Sequence, residues 1–85
     1  MIHPNALKHL SQDEVLLAWS SVTESVQRES DDEPPRWLCI GWLGGGRSVE
    51  LIAVETLVGW LIIHAMSPVQ QKFANEIART KRRTR

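Results

Sequence analysis

The stretch Trp60-Leu61-Ile62-Ile63-His64-Ala65-Met66-Ser67-Pro68-Val69-Gln70 decides the fold. It is an apolar run that carries one imidazole near its end and then passes directly into helix-starting residues. Alternation places Trp60, Ile62, His64 and Met66 on one face and Leu61, Ile63 and Ala65 on the other. Both faces are then apolar, as expected of the central or most covered strand. Ser67 as cap, Pro68 at the first helical position and Gln70 closing a capping box predict a helix immediately afterwards. Val69, Phe73 and Ile77 recur at i+4 on its apolar side, and Ala74 and Ala78 allow close approach. Lys81, Arg82, Arg83 and Arg85 follow, where cations complement the helix dipole by about 0.3 to 1 kcal/mol.

Working back from this stretch, two further strands are expected. Trp37 to Trp42 sets Leu38, Ile40 and Trp42 against Trp37, Cys39 and Gly41. Arg47 to about Glu55 sets Val49, Leu51 and Ala53 against Ser48, Glu50, Ile52 and Val54, a second face that is mixed at one end and dry at the other. Gly44-Gly45-Gly46 joins the two as a hairpin turn, because glycine accepts positive φ at little steric cost. Thr56 to Gly59 turns the chain into the third strand, with an unusually apolar tip at Leu57-Val58.

Before the sheet, Ser11-Gln12-Asp13-Glu14 has the reciprocal capping arrangement, and Leu10 with Val15 can form its hydrophobic staple. Val15, Trp19, Val22 and Val26 recur at four, three and four, so the spacing predicts a helix ending near Val26. Pro4 after His3 can begin one short turn through Ala6 and Leu7. Glu29, Asp31, Asp32 and Glu33 with Pro34-Pro35 read as an acidic connector. The expected architecture is α+β: an N-terminal helical segment, a three-stranded antiparallel meander and a C-terminal helix.

The composition agrees with one domain spanning residues 1–85, with a basic tail over 79–85. The chain has 85 residues, 42% of them hydrophobic, with four Trp, one Phe and no Tyr. Ten basic and ten acidic side chains cancel overall. The balance is uneven, however: seven acids face two bases in residues 1–35, and six bases face one acid in residues 72–85. Such a dipole along the chain offers head-to-tail self-association as one outcome, and leaves the oligomeric state open. The single cysteine, Cys39, cannot pair internally and suggests a reduced compartment, hence the cytoplasm. The longest apolar run, residues 57–66, falls well short of the roughly 20 residues that span a bilayer. Neither membrane insertion nor a signal peptide is expected. Metal-ligand spacing and spaced nucleotide-binding glycines are both missing, so no metal and no cofactor are expected.

Lys8-His9 before a capped helix, the acidic connector, Arg36 opening a strand, the glycine turn, two further strands, and Ile62 to Pro68 leading to Lys72-Phe73 together resemble a known family. These residues are similar to the BrnT-like toxins of type II toxin–antitoxin systems, which share the RelE-like ribonuclease fold. The likeness is to the branch whose third strand ends in an Ile-His-Ala-Met-Pro pattern, and it runs from Ala6 to about Phe73. It implies a cytoplasmic toxin that acts as a metal-independent endoribonuclease, a hydrolase, with RNA or the ribosome among its partners. It also implies a cognate antitoxin protein as partner. The chain departs from the pattern at Leu10, where the family has Gly, and at Ser67, which intervenes before Pro68. It also has Val69, Gln70 and Gln71 where the family carries arginines early in the last helix, leaving Lys72.

RNA cleavage through the 2′-hydroxyl needs a base, an acid for the leaving oxygen and positive charge on the transition state. His64 and Lys72 are the catalytic candidates. Arg36, Arg47, Arg79, Lys81, Arg82 and Arg83 are the candidates for nucleic-acid binding. Arg36 and Arg47 open successive antiparallel strands, so at most one belongs beside His64. The resemblance favours Arg36, whereas a simple meander favours Arg47. The competing reading makes His64 a strand residue packed among Ile62, Met66 and Phe73 with one nitrogen bonded to backbone. Lys72 is then a solvated helical lysine, the basic tail a helix-ending segment and the tryptophans mostly core. A second functional class follows from the missing arginines: a degenerate, non-catalytic toxin-like module binding a protein or nucleic acid through its basic C-terminal helix.

Overall fold

The structure is a computed structural model and describes residues 1–83. The chain runs through a 3-10 turn (Pro4–Leu7), α1 (Gln12–Ser20), β1 (Glu24–Gln27), β2 (Arg36–Leu43), a glycine turn (Gly44–Gly46), β3 (Arg47–Thr56), β4 (Gly59–Met66) and α2 (Gln71–Arg83). The strands form one antiparallel sheet in the order β1-β2-β3-β4. The α+β class agrees with the sequence pattern, but the sheet has four strands where three are expected.

The extra strand comes from the end of the expected first helix. α1 starts as the sequence indicates, with the Ser11 hydroxyl accepting from the Glu14 amide at 3.2 Å and the Glu14 carboxylate accepting from the Ser11 amide at 2.9 Å. Those bonds, with Arg47 nearby, hold the Glu14 carboxyl below its usual range. The helix stops at Ser20, where the Ser20 hydroxyl donates to the Leu17 carbonyl and the Ser21 amide to Ala18. Glu24-Ser25-Val26-Gln27 then pairs with Ile40 to Trp37 as β1. Val22 and Val26 are therefore not on the helical stripe. Tertiary pairing with an open edge of β2 has overridden a spacing that happens to continue the helical period.

Each face of the sheet is covered by different elements. On one face, Ala6 of the 3-10 turn and Val15 and Ala18 of α1 pack with Cys39, Leu43, Val49, Leu51, Ala53, Ile62 and Ala65. On the other, Phe73 and Ile77 of α2 pack on Leu38, with Val26, Ile40, Ile52 and Val69 around them. The alternation expected for β2 and β3 maps onto these two faces. The alternation expected for β4 does not. Ile52 pairs with His64 but Ala53 pairs with Ile62, so Ile63 is an extra residue, a β-bulge. Such an insertion reverses which face the later residues point to. Trp60 and Ile62 thus belong to the α1 face, while His64 turns to the α2 face.

α2 also begins later than the capping pattern suggests. The Ser67 hydroxyl donates to the Ser48 carbonyl at 2.7 Å rather than capping a helix, and the Val69 amide donates to the Ser48 hydroxyl. Gln70 closes no box, and its carbonyl accepts the first helical bond from Ala74. The outer edge of β4 is covered in part by the N-terminal segment: the His3 amide donates to the Ile62 carbonyl, and the Ile62 amide to that of Met1. Gly45 and Gly46 both hold positive φ, near +76° and +75°, as the hairpin turn requires.

Gly41 is where α1 comes closest to the sheet. A Cβ at this position would run into the carbonyl of Ala18, backbone against backbone. Replacing Gly41 by Ala is expected to destabilise the chain by about 3 kcal/mol, at the upper end of overpacking costs, because neither partner can rotate away. Urea unfolding of Gly41→Ala beside Gly44→Ala, which meets nothing within 4 Å, tests this; equal midpoints would refute the close contact.

Candidate functional site

Glu50 lies mid-strand in β3 and is 4% exposed. A carboxylate so buried is costly unless hydrogen-bonded. Its Oε1 accepts from the Gln70 amide at 2.8 Å, and its Oε2 lies 2.8 Å from His64 Nε2. A carboxylate oxygen accepts from a ring N–H, so this contact uses Nε2 and leaves Nδ1 as the ring's second nitrogen. The His64 side chain is 33% exposed, so the dyad is held from within and opens outward. The bulge at Ile63 makes this possible. Without it His64 would point to the α1 face, away from Glu50.

The dyad lies in a small depression of about 170 Å³, lined by Glu50, His64, Ile52, Gln70, Lys72, Phe73, Arg28 and Glu76. Lys72 enters it from the first turn of α2. Arg28, just beyond β1, binds Glu76 of α2 through a fork, Nε to Oε2 at 2.8 Å and Nη2 to Oε1 at 3.1 Å. The depression therefore combines an oriented imidazole, an ammonium and a guanidinium. Those are the groups that proton transfer and phosphate recognition require.

Of the residues singled out in the sequence, His64 and Lys72 come together. The two strand-opening arginines do not join them. Arg47 lies on the α1 face and pairs with Glu14 at 3.7 Å, which corrects the meander argument that favoured it beside His64. Arg36 shares the α2 side of the sheet but pairs with Asp32 at 3.6 Å and does not line the depression. In the C-terminal segment, Lys81 pairs with Glu24 and Arg83 with Glu29, so the acidic part of the chain meets the basic part along β1. Among the described residues Arg79 and Arg82 are exposed and carry no ion pair; Arg85 lies outside them. The histidine bonds a carboxylate rather than backbone, and Ile62 is not among its neighbours because it faces the other way.

Glu50, Arg28 and Glu76 were not singled out by sequence reasoning. Glu50 did carry a signal, since a carboxylate inside Val49-Glu50-Leu51-Ile52 needs a donor once the strand is covered. Arg28 had none, because it sits at the edge of an acidic run.

A larger cleft of about 340 Å³ lies on the α1 face, lined by Trp19, Val22, Ser25, Trp37, Cys39 and Trp60. Trp60 packs on Trp19 at 5.9 Å between ring centroids and edge-to-face on Trp37 at 6.1 Å. It offers no acid or base at neutral pH, because burial pushes the Cys39 thiol up to about 11. Trp42 is exposed, its indole nitrogen donating to the Thr23 hydroxyl. No three His, Cys, Asp or Glu side chains cluster as metal ligands among the described residues. No helix among them is long and apolar enough to cross a membrane. Compared with known protein families, characterised proteins and solved structures, the chain matches none.

Two outcomes follow from this geometry. Glu50→Ala leaves the Gln70 amide and His64 Nε2 without their acceptor and should cost about 1 to 3 kcal/mol in chemical unfolding, with Glu50→Gln costing less. Cys39, buried and protonated, should resist iodoacetamide at pH 8 in the folded protein and react once urea unfolds it; rapid labelling of the native chain would contradict its placement.

Proposed function

We propose that the chain is a toxin-like component of a type II toxin–antitoxin module, acting in the cytoplasm as a metal-independent endoribonuclease. The observation that supports this most is the His64–Glu50 dyad open to solvent beside Lys72. In this reading His64 Nδ1 takes the proton from the ribose 2′-hydroxyl. The 2′-oxygen attacks phosphorus, the bond to the 5′-oxygen breaks, and a cyclic phosphate and a free 5′-hydroxyl result. Glu50 stabilises the imidazolium that forms, as a buried carboxylate does in other histidine-based sites. Lys72 places its charge on the phosphorane oxygens and is the donor available to the leaving 5′-oxygen. A cognate antitoxin would silence the protein by covering this face.

The second reading, a non-catalytic module that binds a protein or nucleic acid through its basic helix, is favoured by a specific feature. Val69, Gln70 and Gln71 bring no cation to the start of α2, and Arg28 is already committed to Glu76.

One set of measurements separates the two. Purified protein should cut RNA to cyclic-phosphate ends. His64→Ala should lower the rate by about 10² to 10⁴, the usual worth of a general base, and Lys72→Ala by about 10². Glu50→Gln, a positioning change, should shift the pH profile and leave some activity. Intact RNA at high protein concentration, together with salt-sensitive RNA binding, would favour the binding module instead.

A further inference from the structure

We infer that Arg28 is the phosphate-binding arginine of the His64 depression, and that Glu76 occupies it as an internal stand-in for phosphate. The inference rests on reading the depression as a site for RNA phosphodiesters.

Position comes first. Arg28 lines the same depression as His64 and Lys72, although it arrives from the end of β1 rather than from α2. It supplies a guanidinium where the start of α2 has none. Chemistry comes second. A guanidinium fork fits a carboxylate and a phosphate by the same two parallel bonds, so one can replace the other without a new backbone geometry. Arg28 uses Nε and Nη2 on Glu76. Both side chains remain about a quarter exposed, at 26% and 24%, so the pair is open to an entering anion.

The partners of the two lining carboxylates differ in kind. Glu50 is saturated by a backbone amide and an imidazole, and losing it would disturb the sheet. Glu76 is fixed to Arg28 alone among side chains and can swing into solvent from α2 when displaced. With Glu76 in place, Arg28 and Lys72 are balanced by Glu50 and Glu76. An arriving phosphodiester takes over the role of Glu76, and the charge at the phosphate becomes net favourable. Glu76 thus sets the threshold for anion entry. Weak single anions are excluded, and a polyanion that can also use exposed cations on α2, such as Arg79 and Arg82, is admitted.

The test measures binding, not turnover. The full chain is titrated with inorganic pyrophosphate and with a 2′-O-methyl RNA hexamer, which cannot be cut, while the His64 and Arg28 side-chain resonances are followed by NMR. Glu76→Gln should tighten binding of both ligands by about fivefold, and Arg28→Gln should weaken it by at least about fivefold. Arg28→Lys, which keeps the charge without the fork, should fall between Arg28→Gln and the unmodified chain. Glu29→Gln, which frees Arg83 outside the depression, should leave the pyrophosphate affinity unchanged. Thermal unfolding of each variant establishes that it is folded; if Arg28→Gln is not, Arg28→Lys and Glu76→Gln carry the comparison. Affinity unchanged in the folded arginine variants, or not tightened in Glu76→Gln, overturns the inference. The expected shifts without any cutting of unmodified RNA would leave this inference standing and remove the endoribonuclease reading alone.

Discussion

A single buried carboxylate organises the α2 side of the molecule. Glu50 belongs to β3, its Oε2 partner His64 to β4, and its Oε1 donor to the segment leading into α2. Three consecutive parts of the chain therefore meet at two oxygens. Neither bond is replaceable by water at 4% exposure, so the geometry of one fixes that of the others. Ser48, two residues earlier on the same face, adds two more bonds to the same lead-in, accepting from Ser67 through its carbonyl and from Val69 through its hydroxyl. The segment between β4 and α2 is thereby laced to β3 at three points. That explains why the helix waits until Gln71 although a cap and a proline are available at Ser67 and Pro68.

The bulge at Ile63 is the counterpart of that constraint. β4 must serve the α1 face with Trp60 and Ile62, which join the core there, and the α2 face with His64. Strict alternation cannot do this, since residues two apart share a face. One inserted residue reconciles the two demands. Ala65 returns to the α1 core beyond it, paired with Leu51, so the reversal persists to the strand's end.

These particulars explain what could be read in advance. The capping box at Ser11, the glycine turn, and the faces of β2 and β3 are local properties, decided by hydroxyls, positive φ and alternation within a few residues. His64 and Lys72 were legible because an imidazole and an ammonium flank one strand-to-helix junction. β1 was hidden because Val22 and Val26 also fit the helical period that Val15 and Trp19 begin, and only the vacant edge of β2 decides between the two. The bulge leaves no mark in an apolar run. The site's other half was equally obscure: Glu50 can be read as a polar residue on a mixed face, and Arg28 meets Glu76 across 48 residues of chain. Pairings of that range depend on the sheet's order, which no local pattern states.

The two faces are built from unlike materials, and this bears on where the molecule can move. The α1 face buries ten residues in one contiguous apolar cluster among those described, with α1 pressed onto Gly41. The α2 face has a smaller buried apolar cluster, Leu38, Phe73 and Ile77. Much of the rest of its attachment is polar: Arg28 to Glu76, Lys81 to Glu24 and Arg83 to Glu29. Ion pairs at such exposure contribute about 0 to 1 kcal/mol each, well below the 1.5 to 3 of a buried aliphatic side chain. They align α2 more than they hold it. Elements with fewer buried apolar contacts are held less firmly, so of the two walls of the depression α2 is the more lightly anchored and the sheet bearing Glu50 and His64 the firmer. The depression of about 170 Å³ lies between them, so substitutions that loosen α2 act on its Lys72 and Glu76 side while the α1 core behind the sheet is left intact.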